Sequence, residues 1–317
     1  MERRDFLRNT LLGTAGLTAL GGLGTVGAVA APAAGAAKKG PLKLTILHTN
    51  DMHSRIEPFP DGGGQWAGLG GMARRAALIK EIRGQEANVL LLDSGDIFHG
   101  TPYFNFFGGE LEYKLMTQMG YDASTLGNHD FDNGLEGLLR QLPHAGFPFL
   151  VANYDFAQSA LAGKFQPYKV FDKAGIRVGV FGLGIELSGL VLDRNFTGIN
   201  YLDPVAKARE MVTQLRGPEK CDFVVCLSHL GYQYKNAKID DRKLAAEITG
   251  IDLILGGHTH TFLDKPEAVA GPNGHQTLIN QVGWSGINLG RLDFEFSPGG
   301  KRGGLAQASV VPVREVG

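Results

Sequence analysis

The chain has 317 residues, of which 43% are hydrophobic and 20% charged, enough for one substantial core. A formal net charge of -1 leaves no basic surplus for a nucleic-acid clamp. The two cysteines, Cys221 and Cys226, fit no zinc-finger spacing. Their odd separation in an apolar run puts them on opposite faces of a strand, so a mutual disulfide is not expected.

Residues 1–37 read as an export signal. Arg3-Arg4 followed by Phe6-Leu7 matches a twin-arginine signal, and the run from Asn9 to Ala37 is uncharged and rich in Gly, Ala, Thr and Leu. Ala28-Val29-Ala30 and Ala34-Gly35-Ala36 both offer the small-x-small pattern of a cleavage site. The alternative is an uncleaved membrane anchor, which the weak Gly/Ala hydrophobicity opposes, so no stable anchor is expected. The expected location is the periplasm or another exported compartment.

From residue 41 to 317 the pattern predicts one catalytic domain in which strands and helices alternate. Strands are predicted over Leu42–His48, Asn88–Leu92, Asp122–Leu126, Arg177–Leu183, Asp222–Leu227 and Ile251–Leu255, several as continuous apolar runs buried on both faces. Helices are predicted over Met72–Arg83 with basic residues on one side, and over Glu110–Met119, Pro204–Arg216 and Asp240–Thr249. Asp203 before Pro204 is a helix-cap pattern. The stretch from Gln276 to about Val313 is strand-rich. The fold class is α/β, with helices covering sheets.

Polar clusters stand where apolar runs stop. They are Asp51-Met52-His53, Gly95-Asp96, Gly127-Asn128-His129-Asp130-Phe131-Asp132, Ser228-His229 and Gly256-Gly257-His258-Thr259-His260. In an open α/β sheet the loops at the carboxyl ends of strands converge on one crevice, so these residues can meet. Mixed Asp, His and Asn donors suit Zn, Mn, Fe or Co rather than calcium. Residues i and i+2 of an extended loop point the same way, so Asp51/His53 and His258/His260 are each expected to address one metal cluster. Seven donors exceed the needs of one ion and suit two.

This ordered set resembles the calcineurin-like metallophosphoesterase superfamily. Thr45 to His53, the Gly127 to Asp132 segment and Ile251 to His260 are similar to the N-terminal catalytic domain of bacterial 5′-nucleotidases and UDP-sugar hydrolases. So are Gly71-Met72-Ala73-Arg74, Gly100-Thr101-Pro102 and Leu289-Gly290-Arg291-Leu292. The likeness spans roughly residues 42 to 297.

The resemblance implies a four-layer α/β/β/α sandwich of two mixed sheets flanked by helices. It implies one divalent ion on Asp51, His53, Asp96 and His260, and a second on Asp96, Asn128, His229 and His258, with Asp96 shared. Such ions lower the pKa of a bound water for in-line attack on a phosphate ester. It also implies that His129 faces the substrate and that Asp132 orients its imidazole; the plainer role for Asp132 is a cap on the helix beginning near Asn133. Asp130 reads as a supporting residue. His48, His99, His144 and His275 belong to no motif and read as structural. The aromatic run Tyr103, Phe104, Phe106 and Phe107 reads as core packing or an interface before base stacking.

The expected activity is hydrolysis of small phosphate monoesters, by resemblance nucleotides. Alternatives are a phosphodiesterase or cyclic-nucleotide hydrolase, a sulfur-oxidising thiol hydrolase on the same metals, or an idle binding subunit. The nucleotidases' C-terminal specificity domain is not expected in this chain. A separate subunit, a homodimer or broad ester specificity would each account for that.

Overall fold

A computed structural model describes residues 41–297 and 302–315; the export-signal reading of residues 1–37 lies outside them. The first half runs β1 (Leu42–Thr49), α1 (Met72–Gln85), β2 (Val89–Asp93), α2 (Pro102–Phe107), α3 (Glu110–Met119), β3 (Ala123–Ser124), α4 (Gly134–Gln141) and β4 (Tyr154–Asp155). There follow β5 (Tyr168–Lys173), β6 (Ile176–Leu183), β7 (Asn200–Tyr201), α5 (Pro204–Arg216), β8 (Phe223–Ser228), α6 (Asp241–Glu247) and β9 (Leu253–Gly256). The last strands are β10 (Glu267–Ala270), β11 (Gln276–Asn280), β12 (Asn288–Phe296) and β13 (Arg302–Pro312).

One sheet has the order β13-β12-β1-β2-β3 and the other β10-β11-β9-β8-β6-β5, with β4-β7 as a small pair. Both are mixed. β1, β2 and β3 run parallel and β12 antiparallel to β1; β6, β8, β9 and β11 run parallel, with β5 and β10 antiparallel at the edges.

The alternation of side chains along these strands builds the layers. Leu44, Ile46, Leu90 and Leu92 of the first sheet meet Val178, Val225, Leu227 and Leu253 of the second in one apolar cluster between the sheets. The opposite face of the first sheet, with Leu47 and Leu91, packs on Met72, Ile79, Met116 and Leu138 of α1, α3 and α4. The opposite face of the second, with Val224, Cys226 and Ile254, packs on Met211, Leu215 and Leu244 of α5 and α6. The result is a four-layer α/β/β/α sandwich.

Cys221 and Cys226 are free and buried, and the Asp203 carboxylate caps α5 by accepting from the N–H groups of Val205 and Ala206. Two predicted bounds change. β3 is two residues long, and α6 ends at Glu247 because the chain turns extended at Ile248 (φ -111°, ψ 122°). The aromatic run is a helix, α2, in which only Phe104 is buried while Phe106 is 82% exposed. The basic side of α1 is not all solvent-facing: Arg75 is fully buried with Nη1 2.8 Å from Met52 Sδ. Gly286 makes that possible, since a Cβ there would meet Arg75 Nη1 at 2.1 Å. Among the described residues no helix is long and apolar enough to cross a membrane.

Candidate metal centre

The carboxyl ends of β1, β2 and β3 in one sheet and of β8 and β9 in the other feed the loops that carry all seven proposed ligands. Five of those seven stand in the left-handed region: Asp51 (φ 51°), His53 (47°), Asp96 (54°), His258 (70°) and His260 (51°). Non-glycine residues adopt it rarely, and such backbone persists where surrounding contacts over-determine it.

Contacts between the loops hold it here. The Asp51 N–H donates to the carbonyl of Gly95, and the His53 and Ser54 N–H groups to those of Asp96 and Ile97, at 2.9, 3.0 and 2.9 Å. The loops after β2 and β3 touch backbone to backbone. A Cβ on Gly95, itself at φ 85°, would meet Gly127 N at 2.5 Å, and one on Gly127 would meet Asp96 Oδ1 at 2.2 Å. Asp130 locks the pair. Its buried carboxylate accepts the N–H groups of Gly127 (2.8 Å), Asp96 (3.1 Å), Ile97 (3.1 Å) and Phe98 (3.3 Å).

Donor atoms gather into two adjoining groups, Asp51/His53/His260 and Asp96/His229/His258. In the first, His53 Nε2 lies 2.9 Å from His260 Nε2, and His260 Nε2 lies 3.4 Å from Asp51 Oδ1. In the second, His229 Nε2 lies 3.1 Å from Asp96 Oδ2. Asp96 Oδ2 is also 4.0 Å from His53 Nε2, so this carboxylate stands between the groups. Asn128 joins the second group, with Oδ1 2.8 Å from His258 Nδ1. Asp51 and His53 fall in one group, while His258 and His260 part to different ones. All four sit in left-handed backbone rather than an extended loop, so the i, i+2 alternation decides neither pair.

The donors are aimed from behind. His229 Nδ1 lies 2.7 Å from the Ser94 carbonyl and His53 Nδ1 3.3 Å from that of Phe98, which leaves each Nε2 facing the cluster. The His258 N–H donates to both Asp51 oxygens, at 2.9 and 3.1 Å. His229 Nε2 is fully buried and has no aligned hydrogen-bond partner despite the nearby carboxylate.

A divalent ion fits this set. Metal bonds of about 2.0–2.2 Å to nitrogen and oxygen place neighbouring donor atoms roughly 3 Å apart, and the short donor spacings here run from 2.8 to 3.4 Å. Electrostatics agree. Burial works against a charge on His229, yet the carboxylates of Asp96 and Asp51 outweigh it and raise its pKa to about 10. A buried anionic pocket that holds a proton so tightly is one in which a cation competes for the same nitrogen. Burial lowers His258 to about 4 and lowers His53, so both favour the neutral form that ligates metals.

Beside the first group, the His129 and His53 rings meet edge-on with centroids 5.3 Å apart. The His129 N–H donates to Asp96 Oδ1 at 2.8 Å, and its Nδ1 lies 2.7 Å from Asp132 Oδ2. That contact raises the His129 pKa against the effect of burial. Asp132 does not cap α4, whose N-cap is Asn133. His48, His144 and His275 lie away from the cluster: His48 pairs with Asn280, His144 is 3.9 Å from Glu110, and His275 contacts the Ile251 carbonyl.

His99, which belongs to no motif, stands beside His129 as well. Its Nδ1 lies 2.7 Å from Asp132 Oδ2, and its ring centroid is 4.9 Å from that of His129. The signal present in the sequence was its place, three residues after Asp96 in the same strand-end loop.

The family model described as calcineurin-like phosphoesterase matches residues 44–262. A snake venom 5′-nucleotidase from Gloydius brevicauda is 36% identical over 296 residues, covering 86% of this chain and 48% of that protein. A 5′-nucleotidase from Vibrio cholerae is 36% identical over 288 residues, covering 81% of this chain and 49% of that protein. The chain thus spans about half the length of these curated relatives. The crystal structure of a 5′-nucleotidase precursor from Thermus thermophilus superposes with a TM-score of 0.76 at 33% identity, over 86% of this chain and 54% of that one. The chain belongs to the calcineurin-like phosphoesterase family.

Proposed function

We propose that this chain is an exported phosphoesterase that holds two divalent ions and hydrolyses phosphate monoesters, nucleotides foremost. The observation that carries the reading is the pair of adjoining donor groups with Asp96 Oδ2 between them. Asp51, His53, Asp96 and His260 would hold one ion, and Asp96, Asn128, His229 and His258 the other. Zn, Mn, Co and Fe all suit these donors. When bound, the ions supply Lewis acidity for the phosphate oxygens and acidity for a water. Two cations held at close range would repel, and an Asp96 carboxylate between them would offset that repulsion.

The chain's own residues do the rest. With Nδ1 held by Asp132, His129 keeps Nε2 free for the ester, to stabilise charge and to protonate the leaving oxygen. The Asp132 carboxylate favours the protonated ring that this step needs. The His129 N–H on Asp96 Oδ1 ties that imidazole to the ion-binding loop, so ester and acid are placed from one rigid corner. Nucleotides are favoured because the similar relatives carry the name 5′-nucleotidase. Export follows from the twin-arginine reading of residues 1–37, a route that carries folded, metal-loaded proteins.

The test is phosphate release from nucleoside monophosphates, sugar phosphates and diesters by protein reconstituted with Mn, Zn or Co. Metal-dependent turnover of monoesters, lost in Asn128→Ala and lowered by about 10²–10⁴ in His129→Ala, is expected. Turnover that survives both substitutions, or none from protein carrying both ions, overturns the reading.

A further inference from the structure

His99 stands in left-handed backbone, at φ 66°. The turn is close-packed: Gly100, at φ 118°, leaves no room for a Cβ, which would meet the His53 carbonyl oxygen at 2.8 Å. This turn carries the His99 imidazole from the β2 loop across to the loop after β3. There Nδ1 of His99 and Nδ1 of His129 each lie 2.7 Å from one atom, Asp132 Oδ2. The two rings are tilted by 33°.

The trio has the composition of an ion site, but the distances decide otherwise. Ligand atoms around a metal stand roughly 3 Å or more apart, whereas His129 Nδ1 is hydrogen-bonded to Asp132 Oδ2 at 2.7 Å and His99 Nδ1 stands at an ion-pair distance of 2.7 Å from the same oxygen. A carboxylate oxygen has lone pairs for two such donors. Among the described residues, no other side chain reaches the Asp132 carboxylate. Asn195 Nδ2 donates to the Asp132 backbone carbonyl at 2.9 Å, which fixes the main chain and not the carboxylate.

We propose that His99 is a positioning residue for ester hydrolysis. Through Nδ1 it holds the Asp132 carboxylate in the rotamer that receives His129 Nδ1, and so keeps His129 Nε2 turned to the ester. Without His99, His129 alone holds this partly exposed aspartate against exchange of staggered rotamers and bonding to water. The inference rests on His129 facing the substrate, as proposed above.

Chemistry separates the two nitrogens of His99. His99→Asn tolerates left-handed backbone and puts an amide N–H where Nδ1 stands. His99→Gln puts one where Nε2 stands. His99→Gly removes the ring and keeps the turn. Kinetics with a nucleoside monophosphate and with p-nitrophenyl phosphate, at matched metal content, are expected to show kcat about tenfold lower in His99→Gly with KM little changed, a modest share of what acid–base groups contribute. His99→Asn restores most of it and His99→Gln does not. In an Asp132→Ala background, His99→Gly has no further effect. A second readout is independent of turnover: imidazole nitrogen NMR of the zinc-loaded protein, where His99 carries its proton on Nδ1 in the wild type and changes in Asp132→Asn.

Rescue by Gln instead of Asn, equal losses with and without Asp132, or a His99 resonance indifferent to Asp132→Asn overturns the proposal. If the loaded wild type hydrolyses no ester, it is the phosphoesterase reading that fails. The NMR result still decides the contact.

Discussion

Asp130 Oδ2 accepts the N–H of Asp96 at 3.1 Å, so the carboxylate standing between the two donor groups is placed by a side chain 34 residues further on. The same Asp130 oxygen takes Gly127 N–H, and the other takes those of Ile97 and Phe98. Two loops from neighbouring parallel strands are thereby fastened to one buried anion.

Asp130→Ala leaves four N–H groups without their acceptor. Each buried unmet donor costs about 1–3 kcal/mol, though the costs do not add in full. A loss of about 3–5 kcal/mol is expected, comparable to breaking a buried ion pair. Denaturant unfolding of the metal-free protein checks it, and metal affinity measured alongside should fall with the loosened loops.

His229→Ala removes the buried nitrogen beside Asp96 and the ring fixed by Ser94. Reconstituted protein should then keep one ion per chain in elemental analysis and lose monoesterase activity. In the wild type, binding to the folded state alone raises stability by about 4 kcal/mol at a thousandfold excess over Kd. Chelation should lower the melting temperature accordingly, and by less in His229→Ala.

Asp293 lies in a separate network on β1 and β12, accepting from Thr45 Oγ1 at 2.8 Å and Arg291 Nη2 at 3.0 Å, with Lys43 Nζ 2.9 Å away. Burial alone would raise its pKa, but these donors outweigh burial and lower it. A carboxyl with a depressed folded pKa contributes stability that is present above the unfolded value, about 3.9. That contribution is lost as pH falls through the folded pKa. Asp293→Asn should reduce stability at neutral pH and flatten the acid limb of the unfolding curve, read as denaturant midpoint against pH on metal-free protein.

Phe223 tests the layer between the sheets, where it is fully buried with its ring centroid 4.6 Å from that of Phe294. Phe223→Ala should cost about 3–5 kcal/mol in equilibrium unfolding, while Phe106→Ala, on the exposed end of α2, should stay within about 0.5 kcal/mol of wild type.

The seven candidate ligands were legible as candidates because parallel strands buried on both faces read as unbroken apolar runs, and each ends abruptly in its polar cluster. Val89–Asp93 before Asp96 and Phe223–Ser228 before His229 are clear cases. β5, Tyr168–Lys173, escaped notice because an edge strand of half-buried residues carries no such run. α2 reads as an aromatic loop since Pro102 to Phe107 has no polar face to mark a helix. The pairing of His99 with Asp132 and the four donors on Asp130 depend on left-handed turns and on contacts between loops about 30 residues apart. Local pattern carries neither. The burial of Arg75 depends on space left by Gly286, on the far side of the sequence.

The most direct measurement of the central claim is anomalous diffraction from crystals of the manganese-reconstituted protein. Two peaks are expected, one against Asp51, His53 and His260 and one against Asn128, His229 and His258, with Asp96 between them. A single peak, or none at these side chains in protein that binds manganese, would contradict it.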